Sequence, residues 1–192
     1  MISQNQKDIE PKKDEFKRVK ANLMLRTADI TGGAIGASVY NSVGSYENVG
    51  AKVSWNMNWK SLLGNNYDRY SVFAIRLNLF MENASNWSNA AGIANQLASL
   101  QVSGLNWINN GYNSVSQTNT GRCALGIANM PTGVNSNTQF PNDTAIAYFS
   151  RPGQYDPITI EMFQLISNSY CVNTVGAGLP MYACLFDIYP VY

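Results

Sequence analysis

The chain contains no histidine. That excludes a Ser-His-Asp or Cys-His catalytic arrangement and any His-ligated metal site. Charge is scarce too: Asp, Glu, Lys and Arg make up 13% of the residues, against about 25% in an average soluble protein. The formal net charge is only +1. Binding nucleic acid by counterion release needs clustered cations. Residues 21–192 hold just seven Lys/Arg against eight Asp/Glu, so no nucleic-acid partner is expected. The three cysteines, Cys123, Cys171 and Cys184, are odd in number and widely spaced, which argues against a disulfide framework. Each sits among apolar neighbours and reads as a free buried thiol, suited to a reducing cytosol. Three scattered cysteines do not make a zinc site, and no cofactor is expected. No apolar run reaches the roughly 18 residues of a membrane-spanning helix. Met1-Ile2-Ser3-Gln4-Asn5 leads into no apolar stretch of the kind a signal peptide needs.

Asn, Ser, Thr, Gln and Gly take the place of the missing charges. A polar, weakly charged surface suits crowded protein–protein packing or contact with sugars. What charge there is concentrates at the start: residues 1–20 hold six Lys/Arg and four Asp/Glu. This stretch reads as an extended N-terminal arm, set apart from a single domain at 21–192. Pro11 fits the first turn of a short helix, and Phe16, Val19 and Leu23 then fall near one face. Two readings stand: a charged tail in solvent, or an arm that docks on a neighbouring subunit through Phe16 and Val19.

From residue 22 the pattern is one of strands. Asn22–Thr27 is a first candidate, and Gly/Ser/Asn-rich residues 31–50 read as a loop or a weak hairpin. In 51–59, Val53, Trp55, Met57 and Trp59 alternate with polar residues, the period of a half-buried strand. Lys60–Gly64 breaks the alternation and predicts a helical turn closed by Gly64. Tyr70–Phe80 is the longest strand signal, with Phe73, Ile75, Leu77 and Leu79 sharing a face. Gln101–Trp107, Cys123–Ala128, Ala145–Phe149, Ile158–Ser167 and Pro180–Ile188 complete the set. Alternation in Thr159–Ile166 is imperfect, so both faces are expected to be covered. Residues 88–100 predict one short helix, weakened by Gly92. About eight strands joined by Gly/Asn/Ser/Pro loops predict an all-β, single jelly-roll β-sandwich.

Little in the chain points to catalysis. The carboxylates Asp68, Glu82, Asp156 and Glu161 flank strands. A glycosidase needs two of them facing across a cleft, and turn or strand-end roles suit Asp68, Asp156 and Asp187 equally well. Gly32-Gly33-Ala34-Ile35-Gly36 opens no periodic helix and lacks the Lys-Ser/Thr of a phosphate-binding loop. No enzymatic activity is expected. Aromatics are plentiful at 11%. Trp55 and Trp59 run in phase with core residues, whereas Trp87 and Trp107 lie in polar surroundings. The latter two are candidates for sugar stacking or for anchoring a subunit interface.

The stretch Trp55-Asn56-Met57-Asn58-Trp59-Lys60-Ser61-Leu62-Leu63-Gly64-Asn65-Asn66-Tyr67-Asp68-Arg69-Tyr70-Ser71-Val72-Phe73 resembles a segment of small jelly-roll proteins from nucleocytoplasmic large DNA viruses. These are the minor capsid and penton proteins of the chlorella-virus, iridovirus and marseillevirus kind. Tyr155-Asp156-Pro157-Ile158-Thr159-Ile160-Glu161 and Leu185-Phe186-Asp187-Ile188-Tyr189-Pro190-Val191 are similar to strand edges in the same family. The resemblance implies a structural minor capsid protein, located in the virion and assembled in the host cytoplasm. Its partners would be the major capsid protein and other minor capsid proteins, in a multi-subunit shell. Some members of the family contact the inner viral membrane, and others close the five-fold vertices. A carbohydrate-binding jelly roll is the alternative from a different class.

Overall fold

The computed structural model describes residues 20–30, 39–40, 42–47, 51–83, 87–88, 96–109, 122–130, 136–140, 146–165, 170–173 and 181–191. The strands in chain order are β1 (Ala21–Arg26), β2 (Val39–Tyr40), β3 (Gly44–Glu47), β4 (Lys52–Trp55), β5 (Val72–Asn83), β6 (Trp87–Ser88) and β7 (Gln96–Ser103). They continue as β8 (Trp107–Asn109), β9 (Cys123–Met130), β10 (Ser136–Gln139), β11 (Ala147–Ser150), β12 (Ile158–Gln164), β13 (Val172–Asn173) and β14 (Met181–Val191). Helix among the described residues is confined to a 3-10 turn at Thr27–Asp29, α1 (Trp59–Leu63) and α2 (Asn65–Arg69).

The strands form two antiparallel sheets. The first runs β1-β14-β5-β11-β8, and β10 also pairs with β5. β10 lies along Leu79–Glu82 and β11 along Val72–Ile75, so the two act as one interrupted strand. The second sheet runs β2-β3-β4-β12-β7-β9, and β6 with β13 makes a separate two-stranded pair. Taking β1, β4, β5, β7, β9, β10/β11, β12 and β14 as first to eighth, the sheet orders are 1-8-3-6 and 2-7-4-5.

Alternation decides what each sheet buries. Leu23 and Leu25 of β1, Phe73, Ile75 and Leu77 of β5, and Phe186 and Ile188 of β14 point inward from the first sheet. Val53 and Trp55, Leu100 and Val102, and Ile160 and Met162 meet them from the second. Trp55 stands edge-on to Tyr182 across the sandwich, with ring centroids 6.4 Å apart. Burying each such large side chain contributes about 1.5–3 kcal/mol. The whole of β12 is buried on both faces, as its broken alternation predicts. All three cysteines are buried and none forms a disulfide, and burial pushes the Cys171 thiol up to about 12.

Several boundaries differ from the sequence reading. Trp59 is not on the strand of Val53 and Trp55. That strand stops at Trp55, because the Asn58 side chain accepts the Ser61 backbone N–H at 3.1 Å and caps α1. Trp59 reaches the core from a helix instead, fully buried. Gly64, at φ 56°, ends α1 as expected. The short helix expected over 88–100 is overturned at its C-terminal end. Gln96–Ser103 is a central strand whose Ala98, Leu100 and Val102 enter the core in steps of two. Gln101–Trp107 is not one strand either: Gly104, at φ 87°, turns the chain where an added Cβ would lie 2.6 Å from the Pro157 carbonyl oxygen.

Candidate functional site

Three surfaces carry organised side chains. The first is the outer face of the first sheet. Asp187 lies between the inward-pointing Phe186 and Ile188, so its carboxylate faces outward, opposite Asn22 on β1 and Arg76 on β5. It is nevertheless only 2% exposed. Arg76 Nη2 donates to Asp187 Oδ2 at 2.9 Å, and the Tyr189 hydroxyl donates to the same oxygen at 3.0 Å. Lys20 Nζ stands 3.3 and 3.4 Å from the two carboxylate oxygens. Burial alone would raise the Asp187 pKa. Hydrogen bonds from Asn78, Tyr189, Arg76 and Lys20 outweigh it and hold the group below the usual carboxylate range. Arg76 Nε donates in turn to Asn78 Oδ1 at 3.0 Å. β5 carries a bulge here: Leu77 pairs with Phe186 and Leu79 with Leu185, leaving Asn78 without a partner on β14.

The outer face of the second sheet holds another ionic group. Glu161 accepts from Ser103 Oγ at 2.6 Å and from the Tyr170 hydroxyl at 2.7 Å, and pairs with Arg122 Nε at 3.0 Å. The Tyr170 ring stacks on Phe163 at 4.5 Å, and the Arg122 guanidinium lies over that ring at 4.7 Å. Burial would raise the Glu161 pKa, but these hydrogen bonds and the Arg122 charge lower it. Burial and Glu161 push Tyr170 up to about 12. Beyond Phe163 the same face becomes apolar. Leu165 and Leu97 are joined by a backbone hydrogen bond, Ile127 is diagonal to Leu97, and all three are exposed.

The third surface closes one end of the sandwich. α1 and α2 pack against residues 151–157. Trp59 Nε1 donates to the Asp156 carbonyl at 2.7 Å, and the Trp59 backbone N–H donates to the Gln154 carbonyl. The Tyr67 hydroxyl donates to the Pro152 carbonyl at 2.9 Å, and Arg151 Nη1 donates back to the carbonyls of Tyr67 and Asp68. Asp156 Oδ2 accepts the Gly153 N–H and tightens the turn, whose tip, Tyr155, is 71% exposed.

The residues singled out from sequence are dispersed. Trp107 is half-buried in β8, edge-on to Phe149 at 5.9 Å, so part of its ring is committed to the core. Trp87 pairs through its backbone with Asn173, and its side chain lies outside the described residues. Phe16 and Val19 also lie outside them. Of the carboxylates, Asp68 is exposed and paired with Lys60 at 3.1 Å, and Asp156 shapes a turn. Glu161 and Asp187 face away from each other on opposite sheets. Asp187, expected at a turn or strand end, lies inside β14 instead, paired across the sheet with Arg76, and the ionic groups around Asp187 and Glu161 escaped the sequence reading. Arg76 and Asp187 are 111 residues apart, and nothing local marks either as paired. The signal available was a charged residue in the middle of an apolar run, in Ile75-Arg76-Leu77 and Phe186-Asp187-Ile188.

Among the described residues no group of three or more Cys, Asp and Glu is arranged to hold a metal. No described helix is long and apolar enough to cross a membrane. No protein-family model matches the chain, and no curated protein sequence matches it.

Proposed function

We propose that the protein is a single jelly-roll minor capsid protein of a large icosahedral DNA virus. In this reading it cements the major capsomers through protein–protein contacts, within the virion and without a cofactor. The observation that carries the proposal is the strand order. Eight principal strands in sheets ordered 1-8-3-6 and 2-7-4-5 support the reading as a jelly roll, the double-sheet fold used by many viral shells. The Trp55–Phe73 segment supports it, because its Trp59 and Tyr67 hold the 151–157 turn and close one end of the sandwich. The surface suits close packing: few charges, an exposed apolar row at Leu97, Ile127 and Leu165, and an exposed Tyr155 on a braced turn. Tyrosine anchors of this kind recur at interfaces, and repeated modest contacts add up in a symmetric shell. The partners are the major capsid protein and neighbouring minor capsid proteins. A five-fold vertex position uses the same sandwich and is the alternative within this reading.

The test is a density gradient on lysate of the source, with this protein quantified by mass spectrometry in each fraction. Co-sedimentation with particles at a fixed ratio to the most abundant shell protein is the expected result, and the ratio separates vertex from cement. Recovery only in the particle-free fractions would overturn the proposal.

A further inference from the structure

Beyond the bulge at Asn78, the outer face of the first sheet turns apolar. Register places Met24 of β1 opposite Leu185 of β14, and Leu185 opposite Leu79 of β5. Two residues further along the strands, Ala183 lies opposite Met81, with Arg26 on its other side. The chain neighbours Leu23, Leu25, Phe80, Tyr182, Cys184 and Phe186 fill the core, so Met24, Leu79, Met81, Ala183 and Leu185 point outward. Met24 is 54% and Met81 39% exposed. The patch spans three strands, about 10 Å, and one two-residue step, about 7 Å. Single exposed apolar residues need no explanation, whereas five neighbours in register across three strands do. The ionic row Asn22–Asp187–Arg76 bounds the patch at one end, and Asn137 and Gln139 of β10 bound it at one side.

The described residues begin at Lys20, whose ammonium meets Asp187 on this same face at 3.3 Å. Lys20 stands four residues before Met24, about 13 Å along β1. In the preceding segment, residues 12–19, Phe16 and Val19 are the only apolar residues, and at i, i+3 they share one face of a helix. Eight helical residues span about 12 Å, which matches the extent of the patch. We propose that residues 12–19 fold back over the outer face of their own first sheet, setting Phe16 and Val19 on Met24, Leu79, Met81 and Leu185. Contact between the methionine sulfurs and the Phe16 ring adds to the apolar area buried. Because Val19 is bonded to Lys20, the contact is intramolecular, at an effective concentration of about millimolar, an advantage that the arm of another copy lacks in dilute solution. The arm is then a cover, and a partner that uses this face has first to displace it. The inference does not rest on the capsid reading, and either can fail alone.

The test is NMR of the full chain labelled with ¹³C at the methionine methyls. Phe16→Ala should move the Met24 and Met81 signals, because the ring current of the covering phenylalanine is lost. It should leave Met162 in place, a fully buried core residue that reports on the fold. In a mixture of labelled and unlabelled protein, contacts from the Phe16 ring to these methyls should run within one chain. Phe16→Asp should also speed peroxide oxidation of Met24 and Met81 by about threefold or more relative to Met57, since oxidation follows exposure. Phe16 precedes β1, so neither variant disturbs the core. The proposal is overturned if the Met24 and Met81 signals stay where they are in Phe16→Ala, or if the two methionines oxidise at the parent rate in Phe16→Asp. Ring contacts that run only between chains overturn it too, and would make the occupant the arm of a second copy.

Discussion

Replacing Asp187 by leucine should be among the most damaging single changes in the protein, and the reason lies in what it leaves behind. The Asp187 side chain is 3% exposed and the Arg76 side chain 11%. Leucine fills similar space, so the loss is not a cavity but a guanidinium facing the sheet with its carboxylate gone. Breaking a buried pair from one side costs about 3–5 kcal/mol, a large part of the roughly 5–15 kcal/mol that holds a domain together. With a urea dependence of about 2 kcal/mol/M, the midpoint should fall by about 1.5–2.5 M. The companion Arg76→Met/Asp187→Leu removes both charges together. It should return to within about 1 kcal/mol of the parent, because the desolvation penalty disappears with the attraction. Urea denaturation followed by tryptophan fluorescence gives all three midpoints. A single variant costing less than about 1 kcal/mol, or a double variant as unstable as the single, would refute the reasoning.

Acid should act through the same groups. Asp187 and Glu161 both have folded pKa values below the usual carboxylate range. Their contribution is therefore complete above about pH 4, the unfolded value, and is lost as pH falls through the folded values; urea midpoints from pH 6 downward should drop less steeply in Arg76→Met/Asp187→Leu than in the parent. Tyr170 sits at about 12, so the folded state resists its ionisation and loses stability above about pH 10. Tyr170→Phe should remove a late step from the absorbance titration at alkaline pH. Gly104→Ala should destabilise by about 1–3 kcal/mol, because φ is positive there and the new Cβ meets the Pro157 carbonyl; thermal melts measure it. A thiol reagent should label none of Cys123, Cys171 and Cys184 in the native protein and all three in guanidinium, since every one is buried.

Where one face of a strand is buried and the other is wet, the sequence carries the answer. Val53/Trp55 alternate cleanly and fold as read, and so do Phe73/Ile75/Leu77, but Leu79, expected on the same face, is turned outward by the β5 bulge at Asn78 and Phe80 takes its place in the core. The reading fails where short-range chemistry overrides alternation. Asn58 caps a helix inside what looks like a continuing strand, so the period-two count runs two steps too far, through Met57 to Trp59. Over 96–100 the small apolar residues of Gln-Leu-Ala-Ser-Leu fit a helix or a strand equally well, and only pairing with β9 and β12 decides. The ionic groups were out of reach for a different reason. Arg122 and Glu161, like Arg76 and Asp187, meet only after distant strands have paired.

The Trp55–Phe73 segment and the 151–157 turn are remote in the chain and adjacent in space. Residues 151–157 form no ladder with a neighbouring strand, so the carbonyls of Pro152, Gln154 and Asp156 need donors from elsewhere. Tyr67, the Trp59 backbone and the Trp59 indole supply them. Trp59 and Tyr67 are thus required by the way this end closes, through indole and hydroxyl hydrogen bonds a leucine or phenylalanine could not make. A sandwich closed in this manner needs them whatever its outer surface does. The motif therefore speaks for the architecture, and the specific role must be written on the outer faces. There the two sheets differ in kind: the first presents the Lys20–Asp187–Arg76 ionic group, the second a stacked Arg122–Phe163–Tyr170 group running into an apolar row. Two faces so unlike offer different chemistry to whatever meets them.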